Sequence, residues 1–224
     1  MPDYKAIHGK NILSLASDPD NAEAEGEIWF NTASGDYKTV VRVAGSWATS
    51  NDLNTGRENM PGAGTQTAGL CVGGGLRPGV SDRVESYSGL TWTEVGDLNT
   101  ARDGSGGDGT ATAALCFSGR TPSLTAINES FNGTAWTEVA NMNTARQELI
   151  GMGTSTAMLG SAGYDASTKS KANENFNGTA WTEVADLNTA RAQLAGTGIE
   201  TAAIVAGGHL HPSSPDISAA SESW

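Results

Sequence analysis

Apolar and polar residues alternate over short spans through most of this chain, and glycine punctuates the spans. Four small-residue apolar runs stand out: TAGLCVGG (67–74), TAALCFSG (112–119), TAMLGSAG (156–163) and TAAIVAGG (201–208). Each follows a Gly-x-Gly (Gly62/Gly64, Gly107/Gly109, Gly151/Gly153, Gly196/Gly198). Each leads, after a variable stretch, to Glu-x-aromatic, at Glu85–Tyr87, Glu129–Phe131, Glu174–Phe176 and Glu222–Trp224. A tryptophan run closes the unit at Trp92, Trp136 and Trp181. These are the lengths and alternations of short strands, and no segment carries a helical period. Asn132-Gly133 and Asn177-Gly178 predict two-residue hairpin turns in which both residues take φ > 0.

The pattern is periodic. Trp47, Trp92, Trp136 and Trp181 are 45, 44 and 45 residues apart, and Arg57, Arg102, Arg146 and Arg191 keep the same spacing. A fixed period of this size marks a repeat array. Four antiparallel strands per unit, here called a to d, with small residues inside and a Trp on the last, describe a β-propeller blade. The expected fold is all-β, a propeller of four-stranded blades over residues 26–224 with repeats beginning near 52, 97, 141 and 186. Residues 1–25, interrupted by Pro19, read as an extended arm. GEIWFNTASGDYKTVVRVAGSW (26–47) reads as a β-hairpin about Ser34–Asp36. The last unit reaches Trp224 without a Trp strand. That leaves two readings, a four-bladed ring completed by the N-terminal hairpin or a longer protein with more blades.

The glycine-ended strand, the Glu-x-aromatic strand, the Trp and the following Arg, in that order, resemble kelch repeats. Ser118-Gly119 and Ala162-Gly163 depart from the double glycine of that pattern. The wording of the repeat, GTAWTEVADLNTAR after a GEIWFNT segment, is similar to repeats in tail-fibre and other virion proteins of bacteriophages, marine ones in particular. The resemblance implies a non-enzymatic virion structural protein in a tail or surface appendage. Its arm would contact other virion proteins, and its propeller would meet a host-surface glycan or protein. Such fibres are commonly homo-oligomers, often trimers, although no heptad pattern argues for one here. The alternatives are a cellular kelch-type interaction module and, behind it, a glycan-degrading enzyme.

Charge narrows the partners. The formal net charge is −12, which opposes binding to nucleic acid and anionic membrane. No apolar run is long enough for a spanning helix, and no h-region marks a signal peptide. Cys71 and Cys116 fall at one position of consecutive repeats, roughly 10 Å apart on stacked sheets, too far for a disulfide. Two free thiols are expected.

Columns filled identically in every repeat need a reason common to every blade. Arg57, Arg102, Arg146 and Arg191, with Glu85, Glu129 and Glu174 and the tryptophans, read as a scaffold network. The competing reading is a ring of charge around a channel. Positions that differ between repeats are the binding candidates. The b–c loops hold Arg77, Asp82, Arg83, Arg120, Tyr164, Asp165, Lys169, Lys171, His209 and His211. They should emerge on one face and present scarce positive charge to an anionic glycan or a protein. His209-x-His211 with Asp216 and the run Asp103–Asp108 are too sparse to read as metal sites. No nucleophile–base motif is present. No metal, cofactor or catalytic residue is assigned.

Overall fold

The computed structural model describes residues 13–15, 28–39, 49–210 and 217–224. The chain divides into two compact units, Met1–Thr49 and Ser50–Trp224. In the first, β1 (Leu13–Leu15) pairs in parallel with β2 (Ile28–Asn31), which pairs antiparallel with β3 (Asp36–Thr39). The predicted hairpin forms. Asn31 Oδ1 accepts from the Ala33 and Ser34 N–H groups, and Gly35 turns the chain at φ +76°. Part of the stretch read as an arm is thus a strand, and the hairpin groups with it in the first unit. Val41, Val43 and Trp47 lie outside the described residues.

The second unit is a β-propeller array. Blade 1 is β4 (Gly62–Thr65), β5 (Ala68–Gly75), β6 (Val80–Tyr87) and β7 (Trp92–Glu94), in that order across the sheet. Blade 2 holds β8 (Gly106–Thr110) and β9 (Ala113–Phe117). Its b–c loop forms a small hairpin, β10 (Arg120–Thr121) and β11 (Ser123–Leu124), before β12 (Asn128–Phe131) and β13 (Trp136–Val139) complete the blade. Blade 3 is β14 (Ile150–Thr154), β15 (Ala157–Ser161), β16 (Asn173–Phe176) and β17 (Trp181–Val184). Blade 4 has three strands among the described residues, β18 (Ala195–Ile199), β19 (Ala202–Ala206) and β20 (Ser221–Ser223). Every pairing within a blade is antiparallel.

Strand alternation decides the core. Leu70 and Val72 of β5 face blade 2 and pack on Ala114, Cys116, Phe131 and Trp136. Leu115 and Phe117 of β9 face blade 3 and meet Met158, Phe176 and Trp181. Met152 and Leu159 of blade 3 meet Ala203 and Val205 of blade 4. The first strands of successive blades pack closely because they are glycine-rich. A Cβ on Gly107 would lie 2.6 Å from the Leu115 carbonyl and 3.1 Å from Pro61 Cβ. Both cysteines are free.

The Asn-Gly turns differ from expectation. Phe131 pairs with Trp136, and Phe176 with Trp181, so each loop has four residues. Only the glycine takes positive φ, at 92° and 89°. Asn132 Oδ1 accepts from the N–H groups of Thr134 and Ala135, and Asn177 Oδ1 does the same for Thr179 and Ala180. The side chain shapes the loop that a two-residue turn would have shaped by backbone alone.

Candidate functional site

The columns shared by all repeats form one motif, built four times. In blades 2 to 4 the connector leaving strand d of the blade before lies over strand c and delivers an Asn and an Arg to its Glu, and in blade 1 Asn54 and Arg57 reach Glu85 from the segment that precedes β4. In blade 3, Glu174 Oε2 accepts from the Asn143 N–H at 2.7 Å and its Nδ2 at 3.0 Å, while Oε1 takes Arg146 Nη2 at 3.0 Å. Arg146 Nη1 donates to the carbonyls of Ala162 and Ala172. Arg102 and Glu129 (2.9 Å) and Arg57 and Glu85 (2.7 Å) repeat the pair, and Arg191 donates to Glu222 in blade 4. Burial pushes the Arg146 guanidinium below its ordinary range, and Glu174 partly restores it. These arginines are 0% exposed as side chains. They fasten connectors to blades and present no charge to a ligand. Trp136 stacks on Phe131, and Trp92 and Trp181 pack tilted against Tyr87 and Phe176.

The b–c loops hold most of the predicted binding residues. Each loop pairs back to the residue that follows the column arginine of its own blade: Gly75 with Glu58, Arg120 with Asp103, Tyr164 with Gln147, and His209 with Ala192. The predicted residues separate into two groups. Arg77 and Arg120 line one groove of about 570 Å³ between the loops of blades 1 and 2, with Leu76, Val80 and Pro122 as its apolar part. Arg77 Nη2 lies 2.7 Å from Glu58 Oε1, and Arg120 grips Asp103 with two bonds of 3.1 and 2.7 Å. The Asp103 bond holds the Arg120 guanidinium above its ordinary pKa. Two cations and two carboxylates balance, so the groove offers hydrogen-bond donors without net positive charge.

The second group spans blades 3 and 4. Lys169 Nζ donates to the Leu210 carbonyl (3.2 Å), next to His209. Asp165 Oδ1 accepts from the N–H groups of Ser167 and Thr168 and the Ser167 hydroxyl, bonds that hold its carboxyl below the usual range. Lys171 pairs with Asp186 at 3.2 Å. Asp82 and Arg83, expected in the first b–c loop, belong to neither group: both lie on β6, because the strand already starts at Val80, and there Arg83 donates to Thr55 Oγ1 while exposed Asp82 accepts the Leu98 N–H through its carbonyl. His211 lies outside the described residues. Among those residues no group of three or more His, Cys, Asp and Glu is placed to hold a metal ion, and no helix could cross a membrane.

Glu58 was not singled out in the sequence, and Asp103 was weighed there only as part of a metal-like run, not as the partner of Arg120. A signal existed: the residue after the column arginine is acidic in the two repeats whose loops carry Arg77 and Arg120, and is Gln147 and Ala192 in the others. No family model and no curated protein matches the chain.

A further cavity, of about 200 Å³, lies between blades 3 and 4 and is lined by Ser161, Leu187, Val205 and Trp224. In the junction before it, Trp181 fills the corresponding place against Phe117, Met142 and Gly160.

Proposed function

We propose that the protein is a non-enzymatic binding module whose propeller presents the Arg77–Arg120 groove to a macromolecular surface. Following its kelch-like repeats, we place it in a phage virion as a tail-fibre or appendage protein facing a host-surface glycan or protein. The carrying observation is the groove itself. Loops tied by backbone pairs to the blades below set two guanidiniums, each with a carboxylate, beside a short apolar wall. Charge balance favours a hydroxyl-rich neutral glycan or a mixed protein surface over a polyanion. A shallow groove gives weak single contacts, and affinity comes from many copies on one particle.

The test is binding of the 224-residue chain, free and displayed on a multivalent carrier, to immobilised host-surface glycans. The reading expects weak binding by the free chain, much stronger binding by the carrier, and loss of both in Arg77→Ala/Arg120→Ala. Retention of binding by that double variant overturns the groove. Absence of the protein from purified particles, checked by mass spectrometry, overturns the virion placement alone.

A further inference from the structure

The c–d loops of blades 2 and 3 hold the only Asn-Gly pairs of the chain, Asn132-Gly133 and Asn177-Gly178. Both pairs are exposed. Each asparagine Oδ1 accepts two backbone N–H groups at 3.0 Å, from Thr134 and Ala135 in one loop and from Thr179 and Ala180 in the other. These bonds draw electrons from the amide carbon, Cγ. They also stand where negative charge collects if that carbon is attacked. Two fixed N–H groups at roughly 2.7–3.1 Å from such an oxygen are the geometry of an oxyanion hole.

The nitrogen placed to attack is the next one in the chain. Among the described residues no carbonyl accepts from the Gly133 or Gly178 N–H, so neither nitrogen is held by a competing bond. Glycine also brings no Cβ to obstruct a close approach of its backbone. Two other loops separate these ingredients. Asn31 Oδ1 accepts from Ala33 at 2.9 Å and Ser34 at 3.1 Å in the same way, but β-branched Thr32 follows it and Asn31 is buried. In the c–d loop of blade 1, Ser88 takes the place of asparagine and its hydroxyl accepts the Thr91 N–H, so there is no amide to convert.

The two loops are free to change shape. At the b–c end of the blades the backbone is stitched from blade to blade: Gly104 N–H donates to the Asn59 carbonyl, Glu148 N–H to Gly104 and Gln193 N–H to Glu148. At the other end, among the described residues, the hydrogen bonds of residues 132–135 and 177–180 stay within each loop.

We propose that Asn132 and Asn177 are sites of self-modification, each converted by its own loop to aspartate and isoaspartate. The Gly133 nitrogen loses its proton to hydroxide and bonds to Asn132 Cγ. Oδ1 carries the charge under the Thr134 and Ala135 N–H groups. The Cγ–Nδ2 bond then breaks, Nδ2 takes a proton from water, and ammonia leaves, closing a succinimide ring. Water opens the ring at either carbonyl. One product is aspartate; in the other the main chain runs through Cγ, which is isoaspartate. The second loop reacts likewise through Gly178. Each event adds a negative charge beside the Phe131–Trp136 or Phe176–Trp181 pair that closes the loop. Because ammonia is lost, the two loops record the age of the molecule.

The experiment is incubation of the full chain at about pH 7 and about pH 9, folded and in strong guanidinium chloride. Peptide mass spectrometry reads the gain from amide to acid, and enzymatic methylation reads isoaspartate. The expected result is conversion at Asn132 and Asn177, faster at the higher pH and at least as fast in the folded chain as in the unfolded one. Asn31, and Asn143, which Glu174 holds and Thr144 follows, should stay unconverted in the folded chain. Gly133→Ala crowds the attacking nitrogen and should slow Asn132 by about tenfold or more. Asn177, in the untouched loop, should keep its rate and report that the fold stands. Conversion slower in the folded chain than in the unfolded one overturns the proposal, as does a rate at Asn132 that Gly133→Ala leaves unchanged.

Discussion

Arg146 Nη2 lies 3.0 Å from Glu174 Oε1, and the two side chains are 0% and 1% exposed. The pair is desolvated, and each partner holds the other's charge inside the blade. Arg146 Nε has no partner there, so the guanidinium depends heavily on Glu174 and two carbonyls. Glu174→Gln leaves a buried, uncompensated cation and is expected to cost about 3–5 kcal/mol. Urea unfolding followed by tryptophan fluorescence measures it. Glu94→Gln, on the exposed face of β7, is the reference and should cost almost nothing. A loss no larger than the reference's refutes the scaffold role of the pair.

Acid should weaken blade 4 and the loop of blade 3. Burial raises the Glu222 carboxyl, but the Asn188 N–H and the Arg191 guanidinium outweigh it and hold the group below its usual range. Asp165 is lowered first by the Ser167 N–H. A carboxyl depressed in the folded state stabilises the protein above its unfolded pKa. That stability is lost as pH falls from about 4 through the lower folded value. Thermal midpoints should therefore hold from neutral pH to about 5 and drop below about 4. In Asp165→Asn the drop should be shallower. An identical acid profile for that variant would count against the assignment.

Asn59, Glu148 and Gln193 occupy one column with φ of 53°, 56° and 53°, and the fourth member of the column is Gly104 at 61°. The left-handed region costs a residue with a side chain roughly 1–2 kcal/mol. Exposed Gln193→Gly removes that strain and loses only backbone entropy in the unfolded chain, so a gain of about 0.5–1 kcal/mol is expected. Calorimetry should show a higher midpoint. Gly104→Gln is the reverse experiment and should lower it.

The cavity between blades 3 and 4 should take an indole. It measures about 200 Å³ and occupies the place that Trp181 fills one junction earlier. Millimolar indole is expected to raise the thermal midpoint. Leu187→Trp, which crowds the same space, should abolish the effect. Trp181→Ala, by contrast, should cost about 3–5 kcal/mol because its socket is already closed around it. No response to indole would mean that blade 4 closes over the space in solution.

Blade boundaries were legible because a period of 44–45 residues repeats the same side-chain demands. The Arg–Glu columns were legible as scaffold because four identical needs have one answer. The loop partners Glu58 and Asp103 were not, since nothing local ties a residue to another 17–19 positions away across a turn. The hairpin at Asn132 misled because Asn-Gly satisfies two turn geometries, and the side-chain bonds that choose between them depend on Thr134 and Ala135. Ser118 and Ala162 broke the glycine pattern without breaking the backbone. They adopt φ of 59° and 60° where Gly73 and Gly207 take 60° and 69°. Ser118 Oγ donates to the Arg146 carbonyl and accepts its N–H, a use of the side chain that glycine lacks.

The stepwise bonds from Asn59 through Gly104 and Glu148 to Gln193 have an evolutionary consequence. Each step joins equivalent positions of neighbouring repeats, so no residue is committed to a particular place in the series. Unequal recombination between near-identical stretches such as Thr134–Arg146 and Thr179–Arg191 would add or drop one whole period. Every surviving junction would keep its partners. Lineages could then vary blade number freely while the residues inside a period stay in strict register, since a single-residue slip turns every side chain of a strand to the wrong neighbour.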